Sequence, residues 1–374
     1  MKQQSDKKIP KIYFENLDAL RFIAALSVFL FHFSADMKAV YPVFTEHALG
    51  KAILSIFEKG SLGVNFFFVL SGFLITYLIL HEVKHRGAFA LGKFLIRRTV
   101  RIWPLYFIVV LIGFVLFPAI IPGYETNHDP VMYLFFLANF DEIYNGMADS
   151  VNFLTSPWSV AVEEQFYLFW GILLLIWSKI SKLKLPAIII MLYVLSFIFR
   201  AVHWEEERLI YYHTFAVCQD ILTGSFVAWS LFHEKKWINS LQNIKTPAVL
   251  GIYVLGFILC VLKNKVFFGE LIVIERFVLS LFFAFIVLDQ IRGKHSVLKM
   301  GKYKTFNYLG KISYGLYMYH LVVMYLLFNW MNSWGAHGYW LVPIYLILSF
   351  GATVTIASCS YHLIEKPLLK LKPH

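Results

Sequence analysis

Charge is what this sequence has least of. Only 15% of its 374 residues are Asp, Glu, Lys or Arg, against 59% hydrophobic, where a soluble domain carries roughly 25% charged residues. A soluble core of 43.5 kDa could not bury that much apolar side chain. Cysteine is equally sparse: Cys218, Cys260 and Cys359 lie in or at the ends of apolar runs, too few and too scattered for a metal cage or a disulfide framework. They read as packing residues. The same composition excludes disordered and collagen-like classes, and no internal repeat, low-complexity tract or linker interrupts the chain.

What the chain has instead is a series of apolar runs of bilayer-spanning length. They lie at about 17–33, 62–80, 102–121, 158–177, 185–199, 211–232, 247–262, 267–288, 306–331 and 339–362. A further run over 131–140 is too short to cross and reads as interfacial or re-entrant. The start, 1–11, is polar and basic with no small-residue cleavage site after the first run, so that run is expected to be retained. The expected fold is all-α: a polytopic membrane protein of about ten transmembrane helices, organised as a single integral-membrane domain over 1–374 with no appended soluble domain.

Basic residues orient such a protein, because cytoplasmic loops carry excess Lys and Arg. With the N-terminus inside, 25 of the 34 fall in cytoplasmic segments and seven in outer ones, while Arg21 and Arg276 lie within spans. Two outer stretches, 122–157 and 332–338, hold no Lys or Arg. Both termini are therefore expected in the cytoplasm, and the net charge of +11 reflects this bias rather than nucleic-acid binding.

Ionisable groups inside spans cost a few kcal/mol each and mark candidate function. In the first span Arg21 and His32 are eleven residues apart, which puts them on one helix face with about 16 Å between them. Asp18 is spaced to pair with Arg21. A histidine near the outer surface suits general-base work on a hydroxyl or transient acyl carriage, and equally suits contact with headgroups. After the second span, Arg97, Arg98 and Arg101 form a cluster of planar donors at the cytoplasmic boundary. Such a cluster fits bidentate phosphate binding as well as an ordinary positive-inside anchor.

The fourth span opens with Ser156, Pro157 and Trp158 and carries Glu163, Glu164 and Gln165, which cannot all face lipid. At the depth of His32, one carboxylate would fix that imidazole's tautomer. In the second span Ser71 and Gly72 allow close helix approach first and ligand contact second. His320 is another candidate within a span. Asp220, Glu270, Glu275 and Arg276 lie in or near spans without an assigned chemistry; Glu275 and Arg276 could pair with each other or bridge helices.

Taken together these segments resemble the acyltransferase-3 family of integral-membrane O-acyltransferases. The likeness runs from Leu17 to Pro367 through Leu-Asp-Ala-Leu-Arg with His32, the stretch from Gly63 to Phe73, Arg-Arg-Thr-Val-Arg-Ile-Trp-Pro, Trp158 to Tyr167, Ser313 to His320, and the closing Ser-Tyr-His-Leu-Ile-Glu-Lys-Pro. The resemblance implies a bacterial inner-membrane enzyme that modifies surface polysaccharide, lipopolysaccharide or peptidoglycan. Its co-substrate would be cytoplasmic acyl-CoA, most often acetyl-CoA, with no permanently bound cofactor or metal, and its acceptor a hydroxyl of a cell-surface or lipid-linked carbohydrate on the outer side. It implies Arg21 and His32 as the essential pair, Arg98 and Arg101, with Arg97, as donor-binding residues, and Glu164, less so Glu163, as the carboxylate orienting His32. Asp18, Glu163, Trp158, Ser71, Gly72 and His320 would support substrate or structure. The family often has aspartate where this chain has Asn65, so no acid or base role is expected there. A separate extracytoplasmic partner could receive the acyl group. The rivals are a transporter or flippase of a lipid-linked sugar, which ten spans with intramembrane charges would also fit, and the same enzyme using another acyl group such as succinyl.

Overall fold

The computed structural model describes residues 12–40, 47–146, 153–180, 184–333 and 341–372. Among the described residues all regular structure is helical, one of the two ways a chain can satisfy its backbone inside a bilayer. In order these are α1 (Glu15–Val40), α2 (Ala48–Glu58), which runs through a tight turn into α3 (Leu62–Arg86), α4 (Leu91–Leu111), which continues through a π-turn into α5 (Phe117–Ile120), the short α6 (Pro130–Leu134) and α7 (Ala138–Tyr144), α8 (Pro157–Lys179), α9 (Leu185–Val202), α10 (Glu207–Tyr212), α11 (Thr214–Phe232), α12 (Lys236–Leu241), α13 (Thr246–Val266), α14 (Ile272–Arg292), α15 (Lys304–Lys311), α16 (Ser313–Ser333), α17 (Leu341–Ser360) and α18 (Lys366–Leu369).

Nine of the described helical runs are long and apolar enough to cross a membrane, and a tenth forms if α15 and α16, bent by 69° at their junction, count as one. That agrees with the ten expected from hydropathy, and the protein is multi-pass. Three boundaries differ in ways that matter below. The second run starts at Ala48, the third at Leu91 and the fourth at Phe153, because polar and arginine-rich flanks continue the helix once neighbours satisfy them. The short apolar run over 131–140 does not cross: α6 and α7 are separated at Phe136, whose backbone is left-handed with φ 55°. The basic start (1–11), part of the Lys/Arg-free stretch (147–152) and the beginning of the last run (334–340) lie outside the described residues.

Local signals explain several ends. Gly87 closes α3 at φ 72°, its N–H reaching the Val83 carbonyl, a conformation in which a Cβ would be strained. Proline at the first turn opens α8, α9 and α13, where its missing N–H costs nothing. At the bundle's centre α3 and α11 meet backbone to backbone. A Cβ on Gly72 would lie 1.9 Å from the Ile221 carbonyl oxygen, and one on Gly224 would lie 2.0 Å from that of Val69. Gly72 is thus a packing residue, as small residues at membrane helix contacts generally are. Of the three cysteines, all free, Cys218 is buried in α11 and Cys359 is exposed.

Buried charges brace the same region. Arg276 pairs with Asp220 at 2.5 Å, and Asn65 donates to the same carboxylate oxygen at 3.0 Å, so Asn65 is structural. Its neighbour Glu275 instead pairs with Lys263 at 3.0 Å. Adjacent residues on a helix do not face each other, and both pairs bridge helices. Arg200 spends its guanidinium on four backbone carbonyls, those of Ile210, Ala216, Ile272 and Val273, which ties α9 to α10, α11 and α14. Asp220→Ala leaves Arg276 as an uncompensated buried charge, a loss of about 3–5 kcal/mol. The expected result is a melting temperature in detergent lowered by about 10 °C, whereas Cys359→Ala leaves it unchanged.

The described ends of the chain lie at the same side of the bundle as Arg21. Phe14 packs on Phe73 and Tyr77 near the end of α3. Lys372 lies among Arg101, Arg98 and Arg97, and its ammonium is pushed down to about 8, first by burial and then by those three cations.

Candidate functional site

Among the described residues one cavity surrounds Arg21 and another His32, and Tyr317 of α16 lines both. Because α1 is one continuous helix, Arg21 and His32 are held three turns apart, and they line different cavities. The Arg21 cavity, about 90 Å³, is walled by Arg98 and Arg101 of α4, Ser71 of α3, and Ser159, Glu163 and Tyr167 of α8. The His32 cavity is larger, about 560 Å³, and includes Trp158, Tyr211, Tyr212 and the charged side chains of Lys59, Arg208, Lys263, Glu58 and Glu207.

Three guanidiniums converge on the smaller cavity. Arg21 is held by Asp18 at 3.3 Å, and Asp18 also accepts from Tyr13 at 2.7 Å. Arg98 lies over the rings of Phe94 and Tyr167, 5.6 and 5.7 Å from their centres, which orients a planar cation without neutralising it. Arg98 and Arg101 share a face as their spacing predicts. Arg97 points elsewhere, pairing with Glu82 at 3.3 Å, and is not among the residues that line the cavity.

The carboxylates also differ from expectation. Glu163, not Glu164, faces the cavity: its two oxygens accept from Ser71 at 2.5 Å and from Tyr167 at 2.8 Å. Glu164 accepts from the Trp103 indole at 3.1 Å, and its other oxygen is buried without a hydrogen-bond partner among the described residues. The expected contact of Glu164 with His32 is not made. The physical reason is the early start of the fourth run. With a helical turn already present at Phe153, both glutamates lie about one and a half turns deeper than a start at Trp158 implies, at the level of the arginines.

The partner that meets His32 is another histidine. The ring centres of His32 and His320 are 5.1 Å apart. His320 Nδ1 donates to the Tyr317 carbonyl at 2.6 Å, so Nδ1 carries the proton and Nε2 is an acceptor. That Nε2 is buried without a hydrogen-bond partner among the described residues. The wall between the cavities is fixed by three atoms: Tyr317 Oη donates to the Ser156 carbonyl at 3.1 Å and accepts from Ser159 Oγ at 2.6 Å. Trp158 and Ser159, adjacent on α8, therefore face opposite cavities.

Sequence reasoning missed Tyr317, Tyr167 and Ser159, although all lie inside the segments it singled out. Beside the His32 cavity it also missed a polar lock: His128 pairs with Asp141. Its neighbour Glu142 is pushed up to about 7 by burial, partly opposed by His128. Among the described residues no group of His, Cys, Asp and Glu could hold a metal ion.

A model of an acyltransferase domain matches residues 14–362. The peptidoglycan O-acetyltransferase OatA of Listeria monocytogenes is 28% identical over 96% of this chain and 56% of its own length. The O-acetyltransferase OatA of Staphylococcus aureus is 27% identical over 96% of this chain and 57% of its own. The chain thus spans somewhat more than half the length of these curated relatives. No solved structure matches it. With arginines and a histidine held in two cavities on either side of one tyrosine, and with a domain match from end to end of the membrane bundle, this chain belongs to the acyltransferase-3 family of membrane-bound O-acyltransferases.

Proposed function

We propose that the protein moves an acetyl group from cytoplasmic acetyl-CoA to a hydroxyl of a carbohydrate on the outer side of the bacterial inner membrane. The observation that carries this reading is the pair of cavities that share Tyr317. The Lys/Arg bias of the loops supports a cytoplasmic Arg21 side, where Arg98 and Arg101 would take the coenzyme A phosphates. The Arg21 cavity, at about 90 Å³, has room for about three waters. Acetyl rather than succinyl follows the O-acetyltransferase relatives.

In this reading the acceptor hydroxyl attacks the thioester carbonyl, a carbon–oxygen bond forms and the carbon–sulfur bond breaks. The reacting carbonyl lies on the His32 side of Tyr317 at that moment: His32 takes the hydroxyl proton, the thiolate leaves with coenzyme A, and Arg21, three turns of α1 away, orients the donor in its own cavity. His320, with Nε2 free to accept, orients the His32 ring as a positioning residue. Glu163, held by Ser71 and Tyr167, supports the arginines.

The test is release of coenzyme A by purified protein in nanodiscs, with and without cell-wall glycan. The expected result is glycan-dependent release and O-acetylated product. Arg98→Gln raises KM for acetyl-CoA by about 10- to 100-fold, the loss of a charge-assisted contact. Arg97→Gln leaves KM unchanged, because its partner is Glu82. Equal KM for parental protein and Arg98→Gln overturns the assignment of the donor side.

A further inference from the structure

The segment that follows α17 carries charges that the reaction above does not use. It begins with a π-turn, Tyr361–Glu365, that leads directly into α18, and both pack against α4, the helix of the arginines. Such π-turns occur frequently at functional sites. Glu365 is only 6% exposed, and one of its oxygens has no hydrogen-bond partner among the described residues. After α18 the chain turns, with the Leu371 N–H on the Leu368 carbonyl at 2.9 Å. Leu371 then stands out, 72% exposed, while Lys372 beside it is half-buried and lies among Arg97, Arg98 and Arg101.

These four cations are not equivalent. Arg97 is paired with Glu82, whereas Arg98, Arg101 and Lys372 make no ion pair among the described residues. The carboxylates nearby are engaged or stand off: Glu163 accepts from Ser71 and Tyr167, Glu164 from Trp103, and Glu365 faces Arg101 without pairing with it. Arg98 and Arg101 line the Arg21 cavity, and Lys372 meets them from outside it. Cations gathered side by side repel one another, and an anion with more than one charge relieves that repulsion.

Coenzyme A carries phosphates in two places, a diphosphate midway along the molecule and a 3′-phosphate on the ribose, at the end far from the thioester. A donor whose thioester enters past Arg98 and Arg101 leaves its diphosphate with those two and its ribose outside the cavity, on the side of Lys372. Resting on the donor side of the function proposed above, we propose that Lys372 binds the 3′-phosphate of coenzyme A. The segment after α17 then reads the donor together with α4.

The experiment measures binding of coenzyme A and of 3′-dephospho-coenzyme A by titration calorimetry, with the full chain in phosphatidylcholine nanodiscs. The parental protein is expected to bind coenzyme A about 10- to 100-fold more tightly, the worth of one charge-assisted contact. Lys372→Gln brings the two ligands within about twofold of each other, and Lys372→Arg restores the preference, which a merely structural role would not do. Arg98→Gln weakens both ligands and keeps the preference. A parental protein that binds the two alike, or a Lys372→Gln protein that keeps the full preference, overturns the assignment. Binding is read without turnover, so a protein that shows the preference but transfers no acetyl group counts against the reaction alone. One that binds neither ligand overturns the donor side and this assignment together.

Discussion

His32→Ala is expected to lower kcat by about 10²- to 10⁴-fold, the range for removing a general base, at unchanged melting temperature and unchanged KM for acetyl-CoA. The separation of effects follows from the geometry. His32 borders only the larger cavity, three turns of α1 away from the arginines, so removing it leaves the donor side intact. His320→Ala is expected to cost less, because that ring acts through His32, and to shift the pH profile of kcat. Coenzyme A release and product acetylation, measured together on folded protein, decide the matter. A His32→Ala protein that acetylates glycan at the parental rate removes this histidine from the reaction.

Tyr317→Ala is expected to change the kind of reaction. The tyrosine lines both cavities and is pinned through its hydroxyl to Ser156 and Ser159. Truncation to alanine joins the two spaces, and water from the larger one reaches the thioester. One purpose of a closed site is to keep water from reactive acyl groups. Acceptor-independent release of coenzyme A therefore rises, while glycan acetylation falls. Tyr317→Phe keeps the ring and loses only the two hydrogen bonds, and is expected to fall between the parental protein and alanine in both readouts. Unchanged hydrolysis in the alanine variant would mean that the cavities are sealed elsewhere.

Much of the fold was legible in the sequence, because membrane spans declare themselves by length and apolarity. The number of crossings, the failure of 131–140 to cross, and the pairing of Asp18 with Arg21 all follow from local pattern. The site was legible as a set of segments but not as contacts. Glu163 and Glu164 are adjacent in sequence, and only the three-dimensional start of their helix decides that one meets Ser71 while the other meets Trp103. Arg97 and Arg98 differ by the rotation between neighbouring helical positions, enough to send one to Glu82 and the other into the cavity. Tyr317 gave no such warning: one aromatic among many in an apolar run becomes a wall only when helices from distant parts of the chain close around it.

The contact of α3 with α11 also decides which wall can give way. Where carbonyl groups sit at the positions a methyl would need on both Gly72 and Gly224, no layer of side chains is left to slide or repack, and these two helices act as a stator. On the opposite wall α16 starts from a 69° bend, and Tyr317 sits little more than one turn beyond it. In the transfer proposed above, the acyl group would pass the place of Tyr317 on α16, while the glycine seam of α3 with α11 stays a fixed frame.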